Sequence, residues 1–156
     1  QLCSALPLDA QRFGLSGHSM GGHGALVLGL RYPDRYQSVS AVAPISHPSQ
    51  CPWGQKAFAY FFGTTPEAQL GWRQWDAVAL LEDGYHRKDQ LLVDLGSADP
   101  FLQEQLRPDD LSVAAANNHQ PLALFIHEGY DHSYFFVASV INRHLEHHAQ
   151  ALGLLS

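Results

Sequence analysis

The chain has 156 residues, of which 46% are hydrophobic and 15% charged, and this composition predicts one globular unit with a sizeable core rather than disorder. Its net charge is −6 with neutral histidines, and lysine and arginine form no run, so nucleic acid and anionic membrane surfaces are not expected partners. Neither a signal peptide nor a membrane-spanning segment is visible. Cys3 and Cys51 form no C-x-x-C pair, which favours a reducing compartment over a disulfide framework.

The first predicted elements, in chain order, form a β-α-β unit. Residues 1–8 predict the last turn of a helix, so the chain is expected to start mid-fold. Residues 12–30 predict a strand, a sharp turn and a helix that Pro33 stops, and residues 38–42 predict a second buried strand. Two strands joined through a helix are expected to be parallel.

The rest of the chain continues this alternation. The predicted elements are short helices over residues 55–81, a third strand at 90–95, helical segments over 101–118 that break at Pro108, a fourth strand at 122–126 and a long amphipathic helix at 133–152. Four strands each followed by a helix predict an α/β fold with an open, mainly parallel sheet flanked by helices. In such a sheet, ligands bind beyond the carboxyl ends of the strands.

The sharp turn carries the pattern G-x-S-x-G at Gly17, Ser19 and Gly21. Both glycines are expected to remove side chains that would collide as the chain reverses, with Ser19 at a strained backbone angle and projecting from the tip. The pattern alone is weak, but a strand before it and a helix after it favour a nucleophilic serine over a glycine-rich helix start. The spacings of phosphate-binding loops are absent from this stretch.

Three residues of complementary chemistry follow the predicted strands. Ser19 follows the first strand, Asp99 the third and His132 the fourth, which is the chain order of the α/β hydrolases. A serine hydroxyl becomes nucleophilic when a neutral imidazole takes its proton, and a carboxylate holds that imidazole in the required tautomer. We therefore predict a Ser19–His132–Asp99 catalytic triad, with the backbone N–H of Met20 stabilising the oxyanion.

Four stretches, residues 17–26, 51–54, 96–102 and 129–136, resemble the S-formylglutathione hydrolase family, also called esterase D. The resemblance extends over essentially the whole chain and gives the same three catalytic positions. It implies the α/β-hydrolase fold and a cytosolic serine thioesterase, with no cofactor and no metal, that hydrolyses S-formylglutathione to formate and glutathione. That reaction completes glutathione-dependent formaldehyde detoxification, so the implied partner is a small-molecule thioester or ester.

The sequence departs from the family pattern in two ways. Ala98 stands before Asp99, where a second acid is common in the family, and Pro100 follows it, so Asp99 is the one acid available in that turn. The family also has a further N-terminal half, with earlier strands and a loop that supplies part of the oxyanion hole. We therefore expect residues 1–156 to be a single α/β-hydrolase domain lacking its N-terminal half, with the strand at 12–16 left as an apolar edge that recruits another chain.

Several residues near the predicted site have alternative roles. Asp131 adjoins His132 in sequence and is expected to cap the final helix rather than to act as the triad acid. His18 and His23 flank the nucleophile, where their rings would point away from it or into packing, so a catalytic base at either position is the weaker alternative. His18 and Trp53 are tentative substrate-pocket residues.

Other residues with reactive or metal-binding side chains favour structural roles. Cys51 lacks a turn that would expose and activate it, and it is expected to be a packed thiol. His144, His147 and His148 include an i, i+4 pair, but no H-E-x-x-H pattern accompanies it. A solvated helix face is therefore expected there instead of a metal site.

Two other functions stay open. A general carboxylesterase for short acyl esters would use every residue of the predicted triad, and a non-catalytic binding or structural piece is the alternative from a different class. Lys56 and Arg73 are weak candidates for holding the carboxylates of glutathione. Self-association into a homo-oligomer is open as well.

Overall fold

The computed structural model describes residues 8–9 and 11–155. The helical turn predicted at residues 1–8 therefore lies, apart from Leu8, outside the described residues. In the described part of the chain, four strands form one sheet in the order β1-β2-β3-β4, and every neighbouring pair is parallel. The strands are β1 (Gly14–His18), β2 (Ser38–Val42), β3 (Leu91–Gly96) and β4 (Leu122–His127). The predicted open parallel sheet is confirmed, although β1 begins two residues later than residue 12, the predicted start.

Six α-helices follow or connect these strands within residues 11–155. They are α1 (Met20–Arg31), α2 (Pro52–Phe62), α3 (Pro66–Trp72), α4 (Ala77–Glu82), α5 (Pro108–Asn117) and α6 (Tyr134–Ala151). Proline opens α2, α3 and α5, where its missing N–H leaves no intrahelical bond unmade. A π-helical turn at Leu102–Leu106 precedes α5. No helix in this part of the chain combines the length and the hydropathy that a membrane crossing requires.

Alternate residues of β2 face the helices on opposite sides of the sheet. Val39 lies against Gly29 of α1, whereas Ser38 and Ser40 bond to His148 of α6. Because successive strand residues point to opposite faces, α1 and α6 cover the two faces. Both central strands, β2 and β3, are buried along their whole length, as expected for strands with helices on both sides.

The histidines of α6 face the sheet, so the prediction of a solvated histidine face is wrong. His144 is only 1% exposed. Nδ1 of His148 lies 2.6 Å from Oγ of Ser38, and Nε2 lies 2.8 Å from Oγ of Ser40. Burial, with the charges of His147 and His144, lowers the pKa of His148 to about 4. The hydroxyl groups of this sheet face therefore allow the polar face of α6 to be buried, because they supply hydrogen-bond partners to its histidines.

Candidate active site

The turn between β1 and α1 holds Ser19 in a strained conformation. Its φ is 56° and its ψ is −116°, a combination that costs a non-glycine residue about 1–3 kcal/mol. A methyl group at Gly17 would overlap the backbone carbonyl of Gly21, so the close approach requires glycine at 17. A methyl group at Gly21 would meet no described atom beyond its own helix within 4 Å. The strained serine is thus confirmed, but the expectation that Gly21 avoids a collision is wrong.

Backbone hydrogen bonds fix the position of this turn at the carboxyl edge of the sheet. The N–H of Ser19 donates to the carbonyl of Val42, the last residue of β2, over 2.9 Å. The carbonyl of Ser19 accepts from the N–H of His23 at 3.0 Å and from that of Ile45 at 3.4 Å. These bonds to a neighbouring strand, to α1 and to the loop after β2 hold the strained residue in place.

The structure brings the three predicted triad residues into one hydrogen-bonded row. Oγ of Ser19 lies 3.0 Å from Nε2 of His132, and Nδ1 of His132 lies 2.6 Å from Oδ2 of Asp99. The other oxygen of Asp99 accepts the N–H of Phe101 at 2.8 Å, and Asp99 is 5% exposed. Because Asp99 accepts from Nδ1–H, Nε2 is the nitrogen free to accept the serine proton.

The acid and the histidine lie on two loops that are bonded to each other. The N–H of Ser97 donates to the carbonyl of His127 at 2.8 Å, and that of Ala98 donates to the carbonyl of Tyr130 at 3.0 Å. Gly96 permits this contact, since a methyl group there would overlap the carbonyl of Tyr130. Backbone hydrogen bonds therefore hold the loops after β3 and β4 together.

Aromatic rings surround the imidazole of His132. Phe101 meets it edge to face at a centroid distance of 5.2 Å, and His18 lies 4.7 Å away on another side. The ring of Trp53 lies 4.6 Å from that of Phe101. Burial, followed by the charge of His132, lowers the pKa of His18, so His18 packs beside the triad as a neutral ring.

A cleft of about 490 Å³ opens beside Ser19. Its lining is almost entirely apolar and comes from the turn at Ser19, the loop after β2, α2 and the segment before α4. The lining residues are Ser19, Met20, His23, Ile45, Pro48, Trp53, Gly54, Ala57, Phe58, Phe61, Phe62 and Trp75. The cleft lining thus includes the tentative pocket residue Trp53. His18 is outside it, against the rings of His132 and Tyr134.

The weaker candidates for the triad acid and the base lie in other settings. Asp131 is exposed, and its Oδ1 accepts the N–H of Ser133 at 3.0 Å where α6 begins. Hydrogen bonds from Ser133 lower the pKa of Asp131. Burial lowers the pKa of His23, whose ring packs 6.3 Å from that of Phe58. The packing of His23 matches the expectation from the sequence, whereas the N-cap of α6 is Ser133, and Asp131 accepts the backbone N–H of that residue.

Cys51 and Arg73 are also held by their own partners. Sγ of Cys51 is buried 3.8 Å from the carbonyl of Pro48, and burial raises the pKa of this thiol, which keeps it protonated and unreactive. The guanidinium of Arg73 donates to Asp83 at 2.7 Å and to Glu82 at 3.2 Å. Within residues 8–9 and 11–155, no three His, Cys, Asp or Glu side chains are grouped so as to hold a metal ion.

Sequence reasoning missed a buried carboxylate close to these loops. Asp94 lies inside β3, and its oxygens accept hydrogen bonds from His127, Arg143 and His144. The one signal in the sequence is a charged residue within the apolar run Leu91–Leu95, and no motif accompanies it. Its three partners lie 33 to 50 positions away, beyond the reach of any local pattern.

The parallel sheet, the strained serine turn and the order Ser19, Asp99, His132 define an α/β-hydrolase fold. Comparison with family models gives a match over residues 2–147, nearly the whole chain. That model describes the esterase family, and the chain belongs to it. This match confirms the family resemblance that was inferred from the four sequence stretches.

Two curated relatives and one solved structure that match this chain over most of its length are S-formylglutathione hydrolases. The S-formylglutathione hydrolase of Arabidopsis thaliana is 46% identical over 147 residues, which are 94% of this chain and 51% of that protein. That of Paracoccus denitrificans is 46% identical over 148 residues, with the same two shares. The structure of an S-formylglutathione hydrolase from Agrobacterium tumefaciens superposes with a TM-score of 0.91 at 39% identity, over 97% of this chain and 53% of that one. The chain spans about half the length of the curated relatives it matches.

Proposed function

We propose that the protein containing this chain is a cytoplasmic serine thioesterase that hydrolyses S-formylglutathione to formate and glutathione without a cofactor. The observation that carries the proposal is the hydrogen-bonded row of Ser19, His132 and Asp99 on a strained serine turn. The substrate comes from the names of the relatives at 46% identity. Because those relatives are about twice as long, we propose that residues 1–156 supply the triad of a larger α/β-hydrolase domain.

In the first step, Oγ of Ser19 attacks the formyl carbonyl carbon. Nε2 of His132 accepts the hydroxyl proton, and the carboxylate of Asp99 stabilises the imidazolium through Nδ1–H. The proton travels over the 3.0 Å separation already present between Oγ and Nε2, a normal hydrogen-bond distance. The rings of Phe101 and His18 pack against the imidazole of His132 and help to hold it in this orientation.

The negative charge that develops on the formyl oxygen requires a hydrogen-bond donor. Met20 is the first residue of α1, so its N–H has no carbonyl of its own helix to bond. The same helix end carries the positive end of the helix dipole. A donor in this role is worth about 3 kcal/mol, or on the order of a hundredfold in rate.

The second half of the reaction releases both products. The tetrahedral intermediate collapses, its C–S bond breaks, and the glutathione sulfur takes the proton from His132, which returns the imidazole to its neutral form. Because a thiol pKa is about 8.5, the sulfur can instead leave as thiolate, and His132 then releases its proton to solvent before the next step. Water then attacks the formyl ester of Ser19 with His132 as base. Breaking the ester bond returns the proton to Oγ of Ser19 and releases formate.

The apolar cleft favours a second candidate function, a carboxylesterase for short and medium acyl esters. A formyl group fills only a small part of a cleft of about 490 Å³ that is lined by the rings of Trp53, Phe58 and Phe61. The ratio of kcat/KM on S-formylglutathione to kcat/KM on neutral aryl esters separates the two activities. A ratio well above one supports the thioesterase, and a ratio well below one supports the carboxylesterase.

A labelling experiment tests whether the protein is a serine hydrolase at all. A fluorophosphonate probe should label the full-length protein at Ser19, and Ser19→Ala should abolish labelling while the protein stays folded. Equal labelling of the Ser19→Ala protein would contradict the proposed nucleophile. Absence of labelling in both proteins would support the non-catalytic alternative.

A further inference from the structure

A buried carboxylate on β3 holds three donors from two other elements. Oδ1 of Asp94 accepts from Nε2 of His127 at 2.5 Å and from Nη1 of Arg143 at 2.8 Å. Its Oδ2 accepts from Nε2 of His144 at 3.0 Å, and Asp94 has no exposed surface. The carboxylate is thus satisfied on both oxygens, and each donor is directed by a hydrogen bond to it.

The three donors flank the loop that carries His132. His127 is the last residue of β4, and Arg143 and His144 lie in the middle of α6. His132 lies between these elements in the chain. Asp94 is therefore bonded to both supports of the His132 loop, while its own strand leads into the turn that carries Asp99.

Removing this carboxylate would leave the donors without their acceptor. Burial by itself would raise the pKa of Asp94, but hydrogen bonds from His144 and His127 and the charge of Arg143 lower it overall, so the group is ionised. His144 is the buried donor of the three, and a buried donor that loses its partner carries the full cost of its desolvation. The supports of the loop are then expected to shift until they find water or another acceptor.

We propose that Asp94 is a positioning residue that sets the placement of His132 between Ser19 and Asp99. Asp94 acts through His127, Arg143 and His144 rather than on the substrate. The inference rests on the proposed roles of the triad. A displacement of about 1 Å at a reacting group can cost on the order of a hundredfold in rate, so modest movement of the loop is sufficient.

The test compares Asp94→Ala with Ser40→Ala in the full-length protein. Ser40 is as buried as Asp94, lies on the neighbouring strand and bonds His148 of the same helix, so its removal takes one hydroxyl partner from a partly buried α6 histidine. We expect Asp94→Ala to lower kcat about tenfold to a hundredfold with KM changed less than about twofold. Ser40→Ala should lower the melting temperature but leave kcat near that of the parent.

Two further measurements distinguish positioning from general destabilisation. Asp94→Asn keeps one acceptor oxygen for His127 and Arg143 and should recover most of the kcat that alanine loses. The proton that His132 shares with Asp99 gives a downfield NMR signal in a formed triad. This signal should broaden or vanish in Asp94→Ala and persist in Ser40→Ala, both measured well below the melting temperature.

Parental kcat in folded Asp94→Ala, or equal losses of kcat in Asp94→Ala and Ser40→Ala, would overturn the inference. If Asp94→Ala does not fold, His127→Leu and Arg143→Met replace it, because each removes one donor. Each should lower kcat, and parental kcat in both would overturn the inference equally. Failure of the proposed function would give a different result. In that case the parent protein itself would show no hydrolysis that depends on Ser19.

Discussion

Oγ of Ser19 lies 3.0 Å from Nε2 of His132 although 113 positions separate the two residues in the chain. Ser19 follows β1 and His132 follows β4, at opposite sides of a four-stranded parallel sheet. Their loops reach each other because all carboxyl ends of a parallel sheet lie at one edge. The contact is therefore a product of topology, and its chemistry can be tested by removing either partner.

Ser19→Ala and His132→Ala, made in the full-length protein, should each lower kcat/KM for hydrolysis by more than about a hundredfold. Neither side chain belongs to the hydrophobic core, so the melting temperature should change little. Steady-state kinetics and thermal unfolding of each variant provide the check. A folded variant that keeps more than about a hundredth of the parental rate would show that its residue has another role.

Asp99→Asn should lower kcat far more than Asp131→Asn does. An asparagine at 99 keeps the shape of the side chain but favours the wrong tautomer of His132, an effect of about ten-thousandfold in the serine-protease triad. Asp131 accepts the backbone N–H of Ser133 at the start of α6, so its replacement should affect mainly the N-terminal end of that helix. The reverse order of the two kcat values would assign the acid to Asp131.

The order of strands and of the residues that follow them was predictable from sequence. Ser19, Asp99 and His132 each stand after an apolar run, and parallel strands require those positions to share one edge. The strain at Ser19 was also predictable from local sequence. A strand and a helix joined by so short a turn restrict the backbone angles open to the residue between them. Local sequence thus carries the information about this part of the site.

The buried polar contacts were not predictable. The helical period of α6 shows which residues share a face, but it does not show whether that face meets water or the hydroxyl groups of Ser38 and Ser40. The hydrogen bonds of Asp94 were unpredictable as well, because its partners come from β4 and α6. Such contacts depend on how distant elements pack, and a single sequence does not encode that in any local pattern.

His148 should make the protein less stable as pH falls from about 6.5 to about 4. Its pKa is about 4 in the folded chain and near 6.5 when unfolded, so the unfolded state binds a proton first in this window. The effect is at most about 3 kcal/mol, since solvent reaches the partly buried imidazole, and it does not grow further below pH 4.

The measurement is the free energy of unfolding by urea at pH 7 and at pH 4.5, in the parent and in His148→Gln. The loss between the two pH values should be smaller in the variant, since glutamine does not titrate. His86→Gln, at an exposed histidine of the loop before β3, is the matched control and should lose as much stability as the parent. An equal loss in all three proteins would contradict the assignment to His148.

Ala57→Trp should restrict the acyl group that the cleft accepts. Ala57 lines the cleft beside Ser19, so a bulky side chain there occupies the space beyond the shortest acyl groups. We expect kcat/KM to fall more than about tenfold for octanoyl esters and less than about threefold for acetyl esters. Ala59→Trp, on another face of the same helix, should leave both values unchanged. Equal effects of Ala57→Trp on both esters would show that the acyl group binds elsewhere.

Residues 1–156 expressed alone should self-associate and catalyse poorly. In the part of the chain that the structure describes, β1 has β2 as its one strand neighbour, so its other edge offers free N–H and C=O groups. An unpaired edge of this kind is a template for pairing with another chain or for aggregation. Sedimentation velocity and hydrolysis by residues 1–156 should be compared with those of the full-length protein.

Phe13→Lys, beside the start of β1, should reduce association, because a lysine near an edge opposes strand pairing. Tyr60→Lys, at an exposed aromatic residue of α2, should not reduce it. A monomer with kcat/KM equal to that of the full-length protein would show that these residues form a complete enzyme whose β1 edge needs no further strand.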